Sequence, residues 1–250
     1  MRSLDSFCLR SVLPKSLHVA RVVLAARLKT MPFVFQSIAR YREDGERTLI
    51  RPNSDLAIEG FWRCANHYAT YAFIVAQPRP VHVARRFHAP AQLMLAVRWN
   101  VPGLLLIREP VAAVSSTTVF LEYDDPFPLL KFYNIFYSAL VPYRHRLVIS
   151  DFDRTTHEFG AVIAEINERY DRDYALYRGT PDEEKRVEEL IRAGHDANPR
   201  ATVARLPLPA EEKERLKDKV MERLLEPRCA SLLGRSRDLY ETFLRAQRGG

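Results

Sequence analysis

Two periodicities take turns along this chain. The run Leu104-Leu105-Leu106-Ile107 has no polar alternation, the pattern of a strand buried on both faces of a parallel sheet. Shorter apolar runs at Leu56-Ala57-Ile58-Glu59-Gly60, Pro80-Val81-His82-Val83-Ala84 and Leu147-Val148-Ile149-Ser150-Asp151-Phe152 read as three further strands. Between them the period changes to that of helices, which are expected through about Val75, from about Ala91 to Trp99, from Pro110 through Ser115 and Ser116, and over Phe127 to Leu140. Pro110 lacks a backbone N–H and suits a first helical position. Strand and helix alternating in this way predict an α/β fold with a central, mostly parallel sheet and helices on both faces.

Beyond the last strand the pattern is helical. One helix is expected over Thr155 to Tyr170, with Phe159, Ile163 and Ile166 inward. Another starts at Pro181-Asp182-Glu183-Glu184, its acids in the first turn where the helix dipole favours them. A charged helix runs to about Glu226, and Leu232 to Ala246 makes the last. Ala193 to Pro209 reads as a loop. Asp151 and Asp153 read as structural or capping residues.

The division expected is a basic helical extension over residues 1–50 and an α/β domain over 51–250, with a core at 55–152 and a helical part at 153–250. Residues 1–42 hold one acid, Asp5, against eight Lys and Arg. Leu17, Ala20, Leu24 and Leu28 share one helical face there. Three readings stand side by side: a helix packed on the domain, a helix lying on a membrane surface, and a leader or untranslated stretch ahead of a start at Met31.

At 250 residues, 47% of them hydrophobic, the chain suits one α/β domain or one domain with an appendage. Net charge is +7, which suits an anionic ligand or surface without choosing among them. Cys8, Cys64 and Cys229 are scattered and odd in number, so neither a disulfide framework nor a zinc site follows, and a reducing cytoplasm is the default. No apolar run approaches the roughly 18 residues that would span a bilayer.

Chemistry is expected at the strand ends, because open α/β sheets bind ligands at their carboxyl edge. Arg108 leaves one strand there, and Ser116 follows eight residues on; a guanidinium fork and a hydroxyl can grip one phosphate. After Gly60 the chain turns through Phe61-Trp62-Arg63-Cys64-Ala65-Asn66-His67 into a helix, the strand–turn–helix context of an anion-binding loop. Arg85-Arg86-Phe87-His88-Ala89-Pro90 again joins a strand to a helix. An imidazole there can act as a base near neutral pH. His67 and His82 are weaker alternatives to His88. The loop has no Gly-Lys-Ser/Thr ending, which argues against an ATPase or GTPase and leaves no magnesium ligand.

These three segments, in this order, resemble those of sulfotransferases that use 3′-phosphoadenosine 5′-phosphosulfate (PAPS). Arg108 and Ser116 fall on the family's 3′-phosphate positions. The segment at 62–67 resembles the 5′-phosphosulfate loop Pro-Lys-Ser-Gly-Thr-Thr: Trp62 stands for proline, Arg63 for lysine, Cys64 for serine, Ala65 for glycine, and Asn66 and His67 for the threonines. Arg86-Phe87-His88-Ala89-Pro90 resembles Lys-Thr-His-x-Pro, which places His88 on the general base. Ser150-Asp151-Phe152 loosely resembles the Tyr-Glu-Asp-Leu that ends a later strand. Of the family's late Arg-Lys-Gly triplet there is no match, and Arg200 and Arg205 are its nearest substitutes.

The resemblance implies a three-layer, P-loop-like domain. It implies transfer of a sulfo group from PAPS, without a metal, to the hydroxyl or amine of an unidentified acceptor. His88 and Arg63 would be catalytic; Gly60 to His67, Arg108 and Ser116 would hold the nucleotide. A second expectation is a catalytically weak relative that binds nucleotide or a protein partner. Nucleic acid is not an expected partner, since Lys and Arg are spread along the chain; membrane-surface contact through the basic N-terminus is. The aromatics Phe132, Tyr133, Phe136 and Tyr137 are either core or one wall of an acceptor pocket.

Overall fold

A computed structural model describes residues 15–41, 45–121, 123, 125–196 and 210–249. In chain order the elements are α1 Lys15–Leu28, α2 Pro32–Ala39, α3 Gly45–Thr48, β1 Leu56–Gly60, α4 Asn66–Ala76, β2 Val83–Ala84, α5 Pro90–Trp99, β3 Gly103–Leu106, α6 Pro110–Phe120 and α7 Phe127–Leu140. A 3-10 helix, Val141–Arg146, leads into β4 Val148–Ser150. Then come α8 Phe152–His157, α9 Phe159–Tyr170, α10 Pro181–Asp196, α11 Ala210–Leu224 and α12 Pro227–Arg248.

The sheet order is β2-β1-β3-β4 and every pairing is parallel. α4 and α9 cover one face with α10 outside them, while α5, α7 and α12 cover the other. Every residue of the four strands is buried, which is why they read as apolar runs. The chain crosses from β1 leftward to β2 and back past β1 to β3, so the two crossovers send α4 and α5 to opposite faces. That reversal is the topological switch at which α/β sheets open a crevice.

Local chemistry sets the boundaries. Proline opens α2, α5, α6 and α12. The Glu109 carboxylate caps α6 by accepting from the Ala112 N–H at 2.7 Å. Asp151 caps α8 by accepting from Arg154 N–H at 2.9 Å, as its expected capping role requires. Asn100 and Asp171 take left-handed conformations and end α5 and α9.

Three expectations about elements are corrected. The single helix at Thr155–Tyr170 is two, because Glu158 leaves helical geometry and Gly160 presses on the main-chain oxygen of Tyr177 where no Cβ fits. β2 keeps only two residues, since Pro80 offers no N–H and the His82 N–H goes to the Asp55 carboxylate. α10 runs on to Asp196, past the start expected for the 193–209 loop. Residues 197–209, with Arg200 and Arg205, lie outside the described residues, as does Cys8.

The N-terminal helices are built into the domain. α1 packs on α7 through Val22 and Ala26, both buried. The face marked by Leu17, Ala20 and Leu24 points outward instead. Under α2, Phe35, Ala39 and Leu49 form a small second core with Phe87, Ala89 and Ala91. Among the described residues no single helix is long and apolar enough to cross a membrane.

Candidate functional site

The loops leaving β1, β2 and β3 meet at the carboxyl edge of the sheet. Gly60 ends β1 so close to β3 that an added Cβ would lie 2.6 Å from the Leu106 oxygen. α7 braces this edge from below. The Tyr137 hydroxyl donates to Leu106 O at 2.9 Å and the Tyr133 hydroxyl donates to Arg108 O at 2.9 Å. Desolvation pushes both phenols well above their usual range, so each stays a neutral donor. The α7 aromatics are thus core, and two of them also meet the first loop, Phe132 with its ring 4.5 Å from that of Trp62 and Tyr133 with its ring 5.2 Å from that of Phe61.

Backbone strain is concentrated here. Among the described residues six non-glycine residues have positive φ, and four are Arg63, Ala65, Arg86 and His88, at 61°, 62°, 71° and 47°. Two fall in the loop after β1 and two in the loop after β2. Such conformations cost of order 1 kcal/mol each and gather where function constrains the chain. The αL geometry that glycine would take freely is held at Ala65, directly before the first turn of α4, whose amides have no acceptor within the helix.

The side chains of the first loop divide in two. Phe61, Cys64 and Asn66 turn their side chains into the protein, which for Cys64 is the core packing that stood beside a ligand role. Phe61 is fully buried and its N–H reaches the Tyr137 hydroxyl. The Cys64 thiol lies 3.6 Å from the same hydroxyl, and burial pushes it up to about 12, so it remains a thiol at neutral pH. The Asn66 amide donates to Phe61 O at 2.8 Å and locks the turn. His67 sits on α4 beside Tyr71, ring centroids 6.4 Å apart.

Two contact groups stand at this edge, Trp62 with His88 and Arg63 with Arg108 and Ser116. Arg63 Nε donates to the Ser116 hydroxyl at 3.2 Å, and Arg108 donates to Arg63 O at 2.8 Å. Arg108 also stacks 3.9 Å from the Phe152 ring centroid, which orients its fork. Desolvation and then the like charge of Arg108 lower the Arg63 guanidinium from its ordinary value.

His88 packs on Trp62, ring centroids 5.0 Å apart, with Nδ1 2.9 Å from Gly60 O. A carbonyl only accepts, so Nδ1 carries the proton and the ring lone pair is on Nε2. His82 is at the other end of β2, with Nδ1 3.0 Å from the Ser54 hydroxyl, away from these loops. Burial, then Arg51 and Arg85, lower its pKa.

Two residues of this neighbourhood escape a motif-based reading. Glu59, on β1, is fully buried; its Oε1 accepts from the Phe87 N–H and from the Gln92 amide, each at 3.0 Å. Desolvation pushes its carboxyl up to about 7. An acid inside an apolar strand was the available signal. Lys29 arrives from beyond α1: Nζ donates to Phe87 O at 2.6 Å and sits 5.4 Å from the Trp62 ring centroid. Nothing in its sequence context marks it. No protein-family model, curated protein or solved structure matches this chain.

Proposed function

We propose that the chain is a sulfotransferase that moves a sulfo group from PAPS to an acceptor hydroxyl or amine. The observation that carries this reading is the meeting of three strand tips: His88 on Gly60, and Arg108 linked through Arg63 to Ser116. Two guanidiniums, a hydroxyl and a helix N-terminus are the donors that a doubly phosphorylated nucleotide calls for. The donor, when bound, supplies a sulfuryl group joined to a phosphate leaving group.

The chain's own residues would then divide the work. Nε2 of His88 takes the acceptor's proton while the new O–S or N–S bond forms. Arg63 meets the negative charge left on the phosphate oxygen as the old S–O bond breaks. Arg108 and Ser116 fix the far phosphate and with it the position of the sulfur. None of these roles calls on a metal. The free, buried thiols of Cys64 and Cys229 accord with a cytoplasmic setting.

A second reading, nucleotide binding without transfer, draws support from the inward Asn66 and Cys64. One pair of measurements separates the two. Calorimetry with adenosine 3′,5′-bisphosphate should show binding that Arg108→Ala weakens roughly tenfold or more. Sulfo transfer to a panel of hydroxyl and amine acceptors should fall by about a hundredfold or more in His88→Ala, with bisphosphate affinity kept. Binding without transfer to any acceptor favours the second reading; a wild-type chain that ignores the bisphosphate defeats both.

A further inference from the structure

The outward face of the N-terminal helices is apolar. Among the described residues, six of the eleven exposed large hydrophobic side chains fall between residues 17 and 41: Leu17, Leu24, Met31, Phe33, Ile38 and Tyr41. Leu24 is 61% exposed, Phe33 66% and Tyr41 79%. Singly exposed apolar residues are ordinary, but six in one short stretch single it out as a place for a partner.

Over residues 15–41 the charged residues are all basic, Lys15, Arg21, Arg27, Lys29 and Arg40, and of these Lys29 turns inward to Phe87 O. Arg27 and Arg40 are exposed, and Arg98 of α5 places its guanidinium 5.4 Å from the Phe33 ring centroid. Beside the face, a cavity of about 420 Å³ opens between α1, α7 and α12. Its walls carry Arg27, Lys131 and Arg235 with the apolar Val23 and Ile135, and include no acid. Arg27 belongs to both features.

We propose that α1 and α2 seat the protein on an anionic lipid bilayer, the apolar face entering the headgroup–acyl boundary and the Arg27–Lys131–Arg235 cavity receiving one anionic headgroup. The two helices are bent by 102° at their break and together have the length and composition of a broken span; the packing of α1 on α7 through Val22 and Ala26 favours a surface-lying pair instead. Apolar insertion alone would not choose a leaflet. The one-signed rim does, because each Lys or Arg near an anionic surface strengthens attachment severalfold at low salt. This proposal is independent of the sulfotransferase reading.

The test is co-sedimentation of the full chain with phosphatidylcholine vesicles, with and without phosphatidylserine, at low and high salt. Binding is expected only with phosphatidylserine, weakening as salt rises. Leu24→Glu/Phe33→Glu should lower it by about tenfold or more. Lys131→Gln/Arg235→Gln should lower it by about tenfold while leaving insertion of the apolar face intact. Melting curves matching wild type certify that the variants fold, as expected for the exposed Leu24, Phe33 and Arg235 and the half-buried Lys131. Failure of the wild-type chain to bind phosphatidylserine vesicles overturns the proposal. So does thermal stabilisation by inorganic phosphate without vesicle binding, which would make the cavity a free-anion site. A self-associated wild type that Leu24→Glu/Phe33→Glu converts to monomer would overturn it too, assigning the face to a second copy of the chain.

Discussion

Single residues at the strand tips work against the stability of the fold. Ala65 holds a φ of 62° that a Cβ disfavours, and it does so where α4 begins. Ala65→Gly should therefore stabilise the protein by about 1 kcal/mol despite the looser unfolded chain, read as a higher midpoint in denaturant. No gain would mean that the loop relaxes around alanine without strain. Glu59 gives a prediction of a different kind. Its carboxyl titrates near 7 in the folded protein, against 4.5 for an ordinary glutamate. Between those values the folded state holds a proton that the unfolded state has released, so stability falls as pH rises through this window. The loss amounts to about 3 kcal/mol and is complete above pH 7. Glu59→Gln keeps the acceptor for Phe87 N–H but cannot ionise. Its stability should be flat across the window where wild type declines, and parallel profiles would show that Glu59 does not carry the dependence.

At the scale of elements, the meeting of β1 and β3 sets how close the loops come. Gly60 permits that approach, and Gly60→Ala forces its methyl on Leu106 O and Leu106 Cβ, at 2.6 and 2.8 Å. The variant should lose roughly 1–3 kcal/mol of stability by strand displacement. Bisphosphate affinity should fall with it, because Arg63 and Arg108 are set by the two strands; wild-type stability and affinity together would remove Gly60 from the site. Strands and helices were largely legible here because burial on both faces writes itself as unbroken apolar runs. α7 matched its expected limits, with Pro128 near its start and aromatics at helical spacing. The break at Glu158 was not legible, since it answers to a close approach between Gly160 and Tyr177 that no local pattern encodes. In the site, Arg63, His88, Arg108 and Ser116 were legible through their places after strands. The inward turn of Cys64 and Asn66 was not legible, because residue type does not tell which way a loop side chain turns. Whether Phe61 serves a ligand or the core depends on Tyr133 and Tyr137, seventy residues away along the chain.

Across the whole molecule, the N-terminal helices and the sheet are joined at one residue, Phe87. Phe87 O accepts from Lys29 Nζ and Phe87 N–H donates to Glu59 Oε1, so the residue before His88 is gripped on both sides. Lys29 comes from the corner between α1 and α2; Glu59 comes from β1. Ala91 N–H donating to Lys29 O at 3.0 Å fixes that corner to the start of α5 as well. The positive charge of Lys29 also favours the ionised form of Glu59, opposing its desolvation. The two residues should therefore couple energetically, and more strongly when Glu59 is charged. A double-mutant cycle of Lys29→Met and Glu59→Gln measures this directly. At about pH 8 the coupling free energy should be roughly 1–3 kcal/mol, and at about pH 5.5, with Glu59 protonated, it should shrink to a fraction of that. Lys29→Met alone should move the fall in stability to higher pH, because the carboxyl loses a stabilising charge. Equal coupling at both pH values would make the contact a matter of packing alone. A pH-dependent coupling would instead establish that the basic N-terminal helices set the electrostatics of the loop that holds His88.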